Sequence, residues 1–198
     1  MKIPAKNKKN ITKIIKEGGV GILPTDTLYG LVGLALNKKA VERIYEIKKR
    51  DKEKKLIILI AHKKDLKLFK INIDDRTKKA LNKFWPNPIS IVLPLSDDKT
   101  FNQSIFYLNR GTDTLAFRMP KPKWLRKLLK KTGPLVAPSA NPEGMSPAEN
   151  IEQAKAYFGN LVDFYVDNGQ LKGQPSTLIA LNEQGLEVRR QGVAEIKN

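Results

Sequence analysis

The stretch PTDTLYG, at residues 24–30, places two threonine hydroxyls and a tyrosine phenol beside a glycine. Such a group could line a pocket in which a ligand approaches the backbone closely, because Gly30 carries no side chain. A β-turn in which Asp26 bonds its own backbone would explain the same residues. The stretch therefore predicts either a ligand contact or a turn at the end of a short buried strand.

A second stretch, KKRDKEKK at residues 48–55, lies between a predicted helix and a predicted buried strand. Arg50 could hold phosphate oxygens through two parallel hydrogen bonds, while Lys48 and Lys54 add positive charge. A solvated basic loop is the alternative, because cations near a helix C-terminus interact favourably with the helix dipole. Neither GxxxxGK[ST] nor GxGxxG occurs in the sequence. A phosphate would therefore have to be held by side chains and scattered backbone donors.

The third stretch, GPLVAPSANPEGMSPAE at residues 133–149, begins as an apolar strand and then turns polar. Ser139 and Asn141 follow the strand's end, which is where open α/β sheets bind ligands. Ser146 and Glu149 have the spacing of a capping box, so we predict that Ser146 begins a helix. A capping hydroxyl and its helix N-terminus can also face an anion.

Arg118 ends the apolar strand TLAFR and needs a partner, because an unpaired buried charge is costly. The chain has 20 Asp and Glu against 37 Lys and Arg. With so few carboxylates available, an anionic ligand is a candidate partner for Arg118.

The side-chain inventory excludes several kinds of site. The chain has no cysteine and a single histidine, His62. These counts exclude disulfides, cysteine-based metal sites, thiol nucleophiles and a Ser-His-Asp triad of the usual kind. The net charge of +17 favours polyanionic partners, namely nucleic acid, nucleotides or a membrane surface. The base composition of the genome is the alternative explanation for so much lysine.

No run of about 18 apolar residues occurs, and the N-terminus lacks the apolar core and cleavage site of a signal peptide. We therefore expect a cytoplasmic protein without membrane spans. The length of 198 residues suits one domain with a real core, so residues 1–198 are predicted to form a single domain.

Hydrophobic periodicity and turn residues predict the elements that position these side chains. Helices are predicted over residues 8–17, 37–49, 63–69, 75–84, 122–131 and 146–158. Strands are predicted over 20–23, 56–61, 89–95, 114–119, 135–137, 163–166, 177–181 and 186–190, with an edge strand at 104–108 and a turn at 182–185. The mixed order predicts an α+β (mixed α/β) fold: a twisted mixed sheet of about seven strands flanked by helices.

Seven fragments occur in the order of a known family: GILPTDTLYGLVG, IYEIKKRDKEKKLIILIA, FWPNPISIVLP, LAFRMP, PLVAPSANPEGMSP, QPSTLIAL and RRQG. Each fragment alone is weak evidence for the family, but the seven fragments in this order are specific to it. From about residue 18 to residue 193 the chain resembles the YrdC-like threonylcarbamoyl-AMP synthases, of the short, single-domain type. The resemblance implies a YrdC-like fold with a large open cavity.

The resemblance also implies the chemistry. Enzymes of this family are nucleotidyltransferases that join L-threonine, bicarbonate and ATP into threonylcarbamoyl-AMP and release pyrophosphate. Threonylcarbamoyl-transfer proteins then modify adenosine 37 of tRNA to t6A, so tRNA is a further candidate partner. ATP would be a substrate, and Mg²⁺ would be bound through the ATP phosphates. The alternative is a protein on the same fold that binds double-stranded RNA or tRNA without synthase activity.

Residue by residue, the family motifs imply two sets of contacts. Lys48 and Arg50 match the K-x-R pair that faces the ATP phosphates and are the expected catalytic residues. The residues expected to contact ATP are Lys48, Arg50, Lys54, Thr114, Ser139, Asn141, Ser146 and Arg190. The residues expected to contact threonine are Thr25, Thr27, Tyr29, Arg118, Ala137, Ser176 and Thr177. Arg118 would pair with the threonine carboxylate, and no protein ligand to a metal is implied.

The chain departs from the family pattern at several positions. The usual K-G-R-P has become Lys48-Lys49-Arg50-Asp51, and the segment after S-A-N is about one residue shorter before Ser146. A detached carbamoyl-handling domain, like those inside hydrogenase-maturation proteins, is a third hypothesis. The lack of companion zinc-finger and acylphosphatase sequences argues against it.

Overall fold

The apolar runs of the sequence form the strands of one mixed sheet in the computed structural model, which describes residues 5–182 and 185–196. The strands are β1 (Gly21–Pro24), β2 (Tyr29–Leu34), β3 (Ile57–Leu59), β4 (Ile89–Pro94), β5 (Thr114–Arg118), β6 (Leu135–Val136), β7 (Phe164–Tyr165), β8 (Thr177–Asn182) and β9 (Gly185–Arg190). Their order is β7-β1-β2-β6-β3-β5-β4-β8-β9. The pairs β1–β7, β3–β5 and β4–β8 are parallel, and the other neighbours are antiparallel. The mixed class that the sequence predicts is confirmed.

Helices cover this sheet. They are α1 (Ala5–Lys16), α2 (Lys38–Lys48), α3 (Asp75–Phe84), α4 (Lys99–Ser104), α5 (Phe106–Asn109), α6 (Lys123–Thr132) and α7 (Ile151–Phe158), with 3-10 helices at Lys63–Phe69 and Gly159–Leu161. The Asn37 side chain caps α2 by accepting a hydrogen bond from the Ala40 amide, as the sequence predicts.

Two apolar clusters form the core, one on each face of the sheet. Successive side chains of a strand point to opposite faces. Ile58 belongs to the larger cluster, with residues of α2, α3 and α7, whereas Leu59 packs with residues of α1 and α6. The central strand β3 is therefore covered on both faces, as its continuous apolar sequence predicts.

Three predictions of local structure are wrong. The edge strand predicted at 104–108 is replaced by α4 and α5, because Asp98 caps α4 through the Phe101 amide. The strand β2 was not predicted, and the described residues contain nine strands rather than about seven.

The helix predicted to begin at Ser146 begins at Ile151 instead. Asn150 is its N-cap, and its side chain accepts a hydrogen bond from the Gln153 amide at 2.8 Å. The Ala148 amide bonds the Ala140 carbonyl at 2.9 Å, which holds the preceding segment against the loop after β6. The predicted turn at 182–185 includes residues 183 and 184, which lie outside the described residues. In the described part of the chain, no helix has the length and apolarity needed to cross a bilayer.

Candidate active site

A cavity of about 470 Å³ lies where the ends of several strands meet the basic loop after α2. The structure brings together nine of the residues predicted from sequence, which line it: Thr25, Thr27, Tyr29, Arg50, Arg118, Ala137, Ser139, Ser176 and Arg190. They come from the β1–β2 connection, the basic loop, and the ends of β5, β6, β8 and β9. Sequence-distant fragments therefore converge on one cavity.

The β1–β2 connection is both a turn and a part of the cavity lining. The Thr25 hydroxyl donates to the Leu28 carbonyl at 2.7 Å and accepts from the Thr27 amide at 3.2 Å, so Thr25 closes the turn. The Thr27 hydroxyl lies 3.0 Å from that of Thr25. A Cβ on Gly30 would lie 3.2 Å from the Thr25 methyl group, so the glycine leaves room for this side chain. The turn bond assigned to Asp26 from sequence belongs to Thr25.

The phenol of Tyr29 fixes a neighbouring segment. Its hydroxyl donates to the Gly169 carbonyl at 2.8 Å and accepts from the Asn168 amide at 2.8 Å. Burial raises the pKa of Tyr29, opposed by the hydrogen bond from Asn168. The phenol therefore stays neutral and its hydroxyl is already occupied.

The loop after β6 is held by hydrogen bonds from within and from behind. The Ser139 hydroxyl donates to Asn141 Oδ1 at 2.6 Å, and Asn141 Nδ2 donates to the Pro142 carbonyl at 2.9 Å. Behind the loop, Lys48 is only 1% exposed and its amine donates to the carbonyls of Ser139 and Asn141. Burial, together with the charge of Arg50, lowers the pKa of Lys48 to about 8. Lys48 and Asn141 thus shape the wall without lining the cavity.

The buried Arg118 has a partner within the chain. Its Nη2 lies 3.1 Å from Asp26 Oδ1, and both side chains are 4% exposed. The sequence suggested an anionic ligand as the partner of Arg118, and the structure adds this carboxylate. Burial lowers the pKa of Arg118 and Asp26 raises it, but a guanidinium keeps its proton in proteins. Arg118 Nε and Asp26 Oδ1 make no hydrogen bond to any part of the chain that the structure describes.

Besides Arg118, three cations line the cavity, and we call them the cationic wall: Arg50, Lys55 and Arg190. Arg50 Nε donates to the Lys54 carbonyl at 3.1 Å, and Arg190 Nη2 donates to the Ser176 carbonyl at 2.8 Å. Burial lowers the pKa of Arg190, and repulsion from Arg50 lowers it further. No Asp or Glu of the described residues lines the cavity. Its potential is therefore positive and suited to an anion.

The hydroxyl wall is a second set of side chains that line the cavity. We use this name for the side chains Thr25, Thr27, Tyr29, Ala137 and Ser139, contributed by the β1–β2 connection and the loop after β6. The two segments bond each other through the backbone, from the Leu31 amide to the Pro138 carbonyl at 2.9 Å. The wall is consequently one connected unit.

Six predicted site residues do not line the cavity: Lys48, Lys54, Thr114, Asn141, Ser146 and Thr177. Lys54 points to Glu143 and forms an ion pair with it. The Thr177 hydroxyl accepts from the Gly192 amide at 3.0 Å, which holds the segment after β9. Ser146 is exposed.

Glu143 ties the basic loop to the loop after β6. Its carboxylate accepts hydrogen bonds from the Lys54 amine and, at 2.6 Å, from the Asp51 amide. These two hydrogen bonds, the Lys54 bond first, lower the pKa of Glu143.

Lys55 and the apolar floor of the cavity were not predicted from the sequence. The floor includes Ile57, Val92, Ala116 and Leu178. Strand alternation could have placed Ala116 there, because it shares a face with Thr114 and Arg118. The register then brings Val92 beside Ala116.

A larger cavity, of about 690 Å³, lies between α1 and α6. Its floor is apolar, with Ile11, Leu23 and Trp124, and its rim carries lysines such as Lys127. None of the residues predicted from sequence lines it, so size alone does not mark the functional site.

The described residues contain no group of three or more His, Asp or Glu that could hold a metal ion.

Known proteins resemble this chain both in sequence and in structure. The family model Sua5_yciO_yrdC, described as "Telomere recombination", matches residues 13–192. A threonylcarbamoyl-AMP synthase of Pyrococcus abyssi is 36% identical over 172 residues, which is 85% of this chain and 49% of that protein. This chain therefore spans about half the length of that relative. A putative threonylcarbamoyl-AMP synthase of Methanocaldococcus jannaschii is 31% identical over 188 residues, 94% of this chain and 86% of that protein.

Solved structures give the same result for the fold. The crystal structure of P. abyssi Sua5 complexed with L-threonine has a TM-score of 0.86 at 31% identity, covering 97% of this chain and 56% of that one. E. coli YciO has a TM-score of 0.84 at 22% identity, covering 99% and 94%. At that identity YciO supports the fold alone.

Proposed function

The chain belongs to the Sua5/YciO/YrdC family, and from this premise we propose that it is a threonylcarbamoyl-AMP synthase, a nucleotidyltransferase acting on L-threonine, bicarbonate and ATP. Relatives at 31–36% identity carry the synthase name, and a structural neighbour at 31% identity was crystallised with L-threonine. The alternative of an RNA-binding protein without synthase activity is not favoured by these relatives.

One observation of the site carries the proposal: nine predicted residues from distant parts of the chain line one cavity with a cationic wall and no lining carboxylate. ATP and the departing pyrophosphate are polyanions. Fixed positive groups aimed at developing negative charge stabilise a transition state without reorganising during the reaction. Arg50 and Arg190 are the guanidinium groups placed to do this.

For threonine, we assign the carboxylate to Arg118. Asp26 balances part of its charge, and Arg118 itself lines the cavity, so its guanidinium is placed to receive a second carboxylate. Thr25, Thr27 and Ser176 would orient the rest of the amino acid beside it, since all line the same cavity. Because Thr25 and Thr27 belong to the hydroxyl wall, which is already bonded internally, they can position the substrate at little further entropic cost.

The reaction then needs two bond-forming steps. The threonine amine attacks the carbon of bicarbonate, water leaves, and a carbamate forms. A carbamate oxygen attacks the α-phosphorus of ATP, and the bond to pyrophosphate breaks. The described lining residues offer no carboxylate or imidazole as a base, so we assign proton acceptance to substrate groups.

Mg²⁺ would reach this site on the nucleotide. Mg²⁺ is commonly bound through one or two carboxylates and substrate phosphates. No protein cage for it exists in the part of the chain described, so we assign it no step. We further propose that the product passes to threonylcarbamoyl-transfer proteins for t6A37 modification of tRNA in the cytoplasm.

The direct test is pyrophosphate release by the purified protein with ATP and Mg²⁺. We expect release only when L-threonine and bicarbonate are both present. Release that is absent, or that proceeds equally without either substrate, would overturn the proposal.

A further inference from the structure

Two adjacent lysines of the basic loop have opposite surroundings. Lys54 is 56% exposed at its side chain and forms an ion pair with Glu143. Lys55, the next residue along the chain, instead lines the cavity. The sequence assigned the nucleotide contact to Lys54, whose charge is already compensated.

The amine of Lys55 is held by neutral groups. It donates to Thr112 Oγ1 at 2.9 Å and to Thr114 Oγ1 at 2.6 Å. No carboxylate among the described residues pairs with it. Burial lowers the pKa of Lys55, and the charge of Arg189 lowers it further. The two hydroxyls therefore fix the amine without neutralising it.

Lys55 is also bonded to Arg50, another cation of the wall. Arg50 Nη2 donates to the Lys55 carbonyl at 3.3 Å, so both side chains depart from one short segment. With Arg190, they concentrate three positive charges at a cavity lined by no described Asp or Glu. Such a cluster is stabilised when an anion with several oxygens binds it.

We propose that Lys55, and not Lys54, is the lysine of the basic loop that contacts the phosphate oxygens of the nucleotide. Thr112 and Thr114 are positioning residues that hold its amine toward the cavity. This gives Thr114 an indirect place in the nucleotide site, through Lys55. The inference rests on the proposed function, because it takes the anion to be ATP or pyrophosphate.

The test is equilibrium binding of ATP and of pyrophosphate, measured by calorimetry on the wild type, Lys55→Met and Lys54→Met. A charge-assisted hydrogen bond contributes enough that Lys55→Met should weaken ATP and pyrophosphate binding roughly 10- to 100-fold. Lys54→Met should change either affinity by less than about threefold, because an exposed ion pair contributes little. Lys55→Arg, which keeps the charge, should restore most of the ATP affinity.

Threonine binding and thermal unfolding serve as controls for the fold. Lys55→Gln is a second variant should Lys55→Met unfold. ATP affinity unchanged by both Lys55 variants, or lost equally in Lys54→Met, overturns the assignment of Lys55 alone. A wild type that binds neither ATP nor pyrophosphate overturns the proposed function as well.

Discussion

The two walls of the cavity differ in how their polar groups are satisfied. In the hydroxyl wall, the Thr25 and Ser139 hydroxyls and the Tyr29 phenol all bond other groups of the chain. In the cationic wall, the partners of Arg50, Lys55 and Arg190 among the described residues are neutral oxygens, and Arg50 and Arg190 repel each other. The polar groups of the hydroxyl wall are satisfied within the chain, whereas the positive charge of the cationic wall has no negative partner within the described cavity lining.

The hydroxyl wall therefore supplies a fixed shape, and the cationic wall supplies charge. A wall with satisfied hydrogen bonds keeps its geometry before a ligand arrives, which favours orientation of a small substrate. A wall of uncompensated cations stabilises negative charge strongly in a partly water-excluded site. We therefore expect changes in the cationic wall to act mainly on turnover. Changes behind the hydroxyl wall should act mainly on stability.

The largest effect is expected for Arg50→Ala. Removing one donor aimed at developing charge should lower kcat/KM for pyrophosphate release by roughly 100-fold or more. The free energy of unfolding should change little, because the bonds that Arg50 makes within the described part of the chain go to carbonyls of its own loop. The exposed Lys52 offers a matched control, and Lys52→Ala should keep wild-type activity. A loss below about threefold in Arg50→Ala would make the basic loop a solvated loop, the alternative interpretation of its sequence.

Lys48, which holds the hydroxyl wall from behind, should give a pH-dependent effect on stability. Its pKa is lowered from 10.5 to about 8 in the folded chain. Between these values the unfolded chain binds more protons at this amine, so stability rises with pH. Each pKa unit corresponds to about 1.4 kcal/mol, so the free energy of unfolding should rise by roughly 3 kcal/mol across this pH window.

Urea unfolding of wild type and Lys48→Met through this pH window measures the contribution. The free energy of unfolding of the wild type should rise relative to that of the variant between pH 8 and 10.5. Parallel curves would show that Lys48 is not buried behind the wall.

The smallest effect is expected for Ser146→Ala, because this exposed residue belongs to neither wall. Stability and the KM for ATP should both stay near wild type. Asn150→Ala is the matched control variant. It should lower the free energy of unfolding by about 1 kcal/mol, because it removes the N-cap of α7. A several-fold rise in KM for ATP in Ser146→Ala would show that the hydroxyl wall extends further than its definition here.

Elements with clear periodicity were predictable, and elements decided by tertiary contacts were not. The sequence of β2, YGLVGL, has two glycines that obscure a strand pattern. The structure explains Gly33, since a Cβ there would lie 3.1 Å from Ile44 of α2. At 104–108, aromatic residues favoured a strand, but the Asp98 cap begins a helical segment just before them.

The same limit applies to the site. Fragment order was enough to predict nine lining residues. It could not separate Lys54 from Lys55, because Glu143, which pairs with Lys54, comes from a distant loop. Nor could it identify Asp26 as the partner of Arg118, since the strand that carries Arg118 is remote in sequence from Asp26.

A crystal structure of the protein with AMP and L-threonine tests the central claim most directly. We expect the phosphate within hydrogen-bond distance of Arg50 and Arg190, and the threonine carboxylate on Arg118, all in the cavity that the two walls line. AMP bound instead in the lysine-rimmed cavity between α1 and α6, with the cationic wall left free, would contradict it.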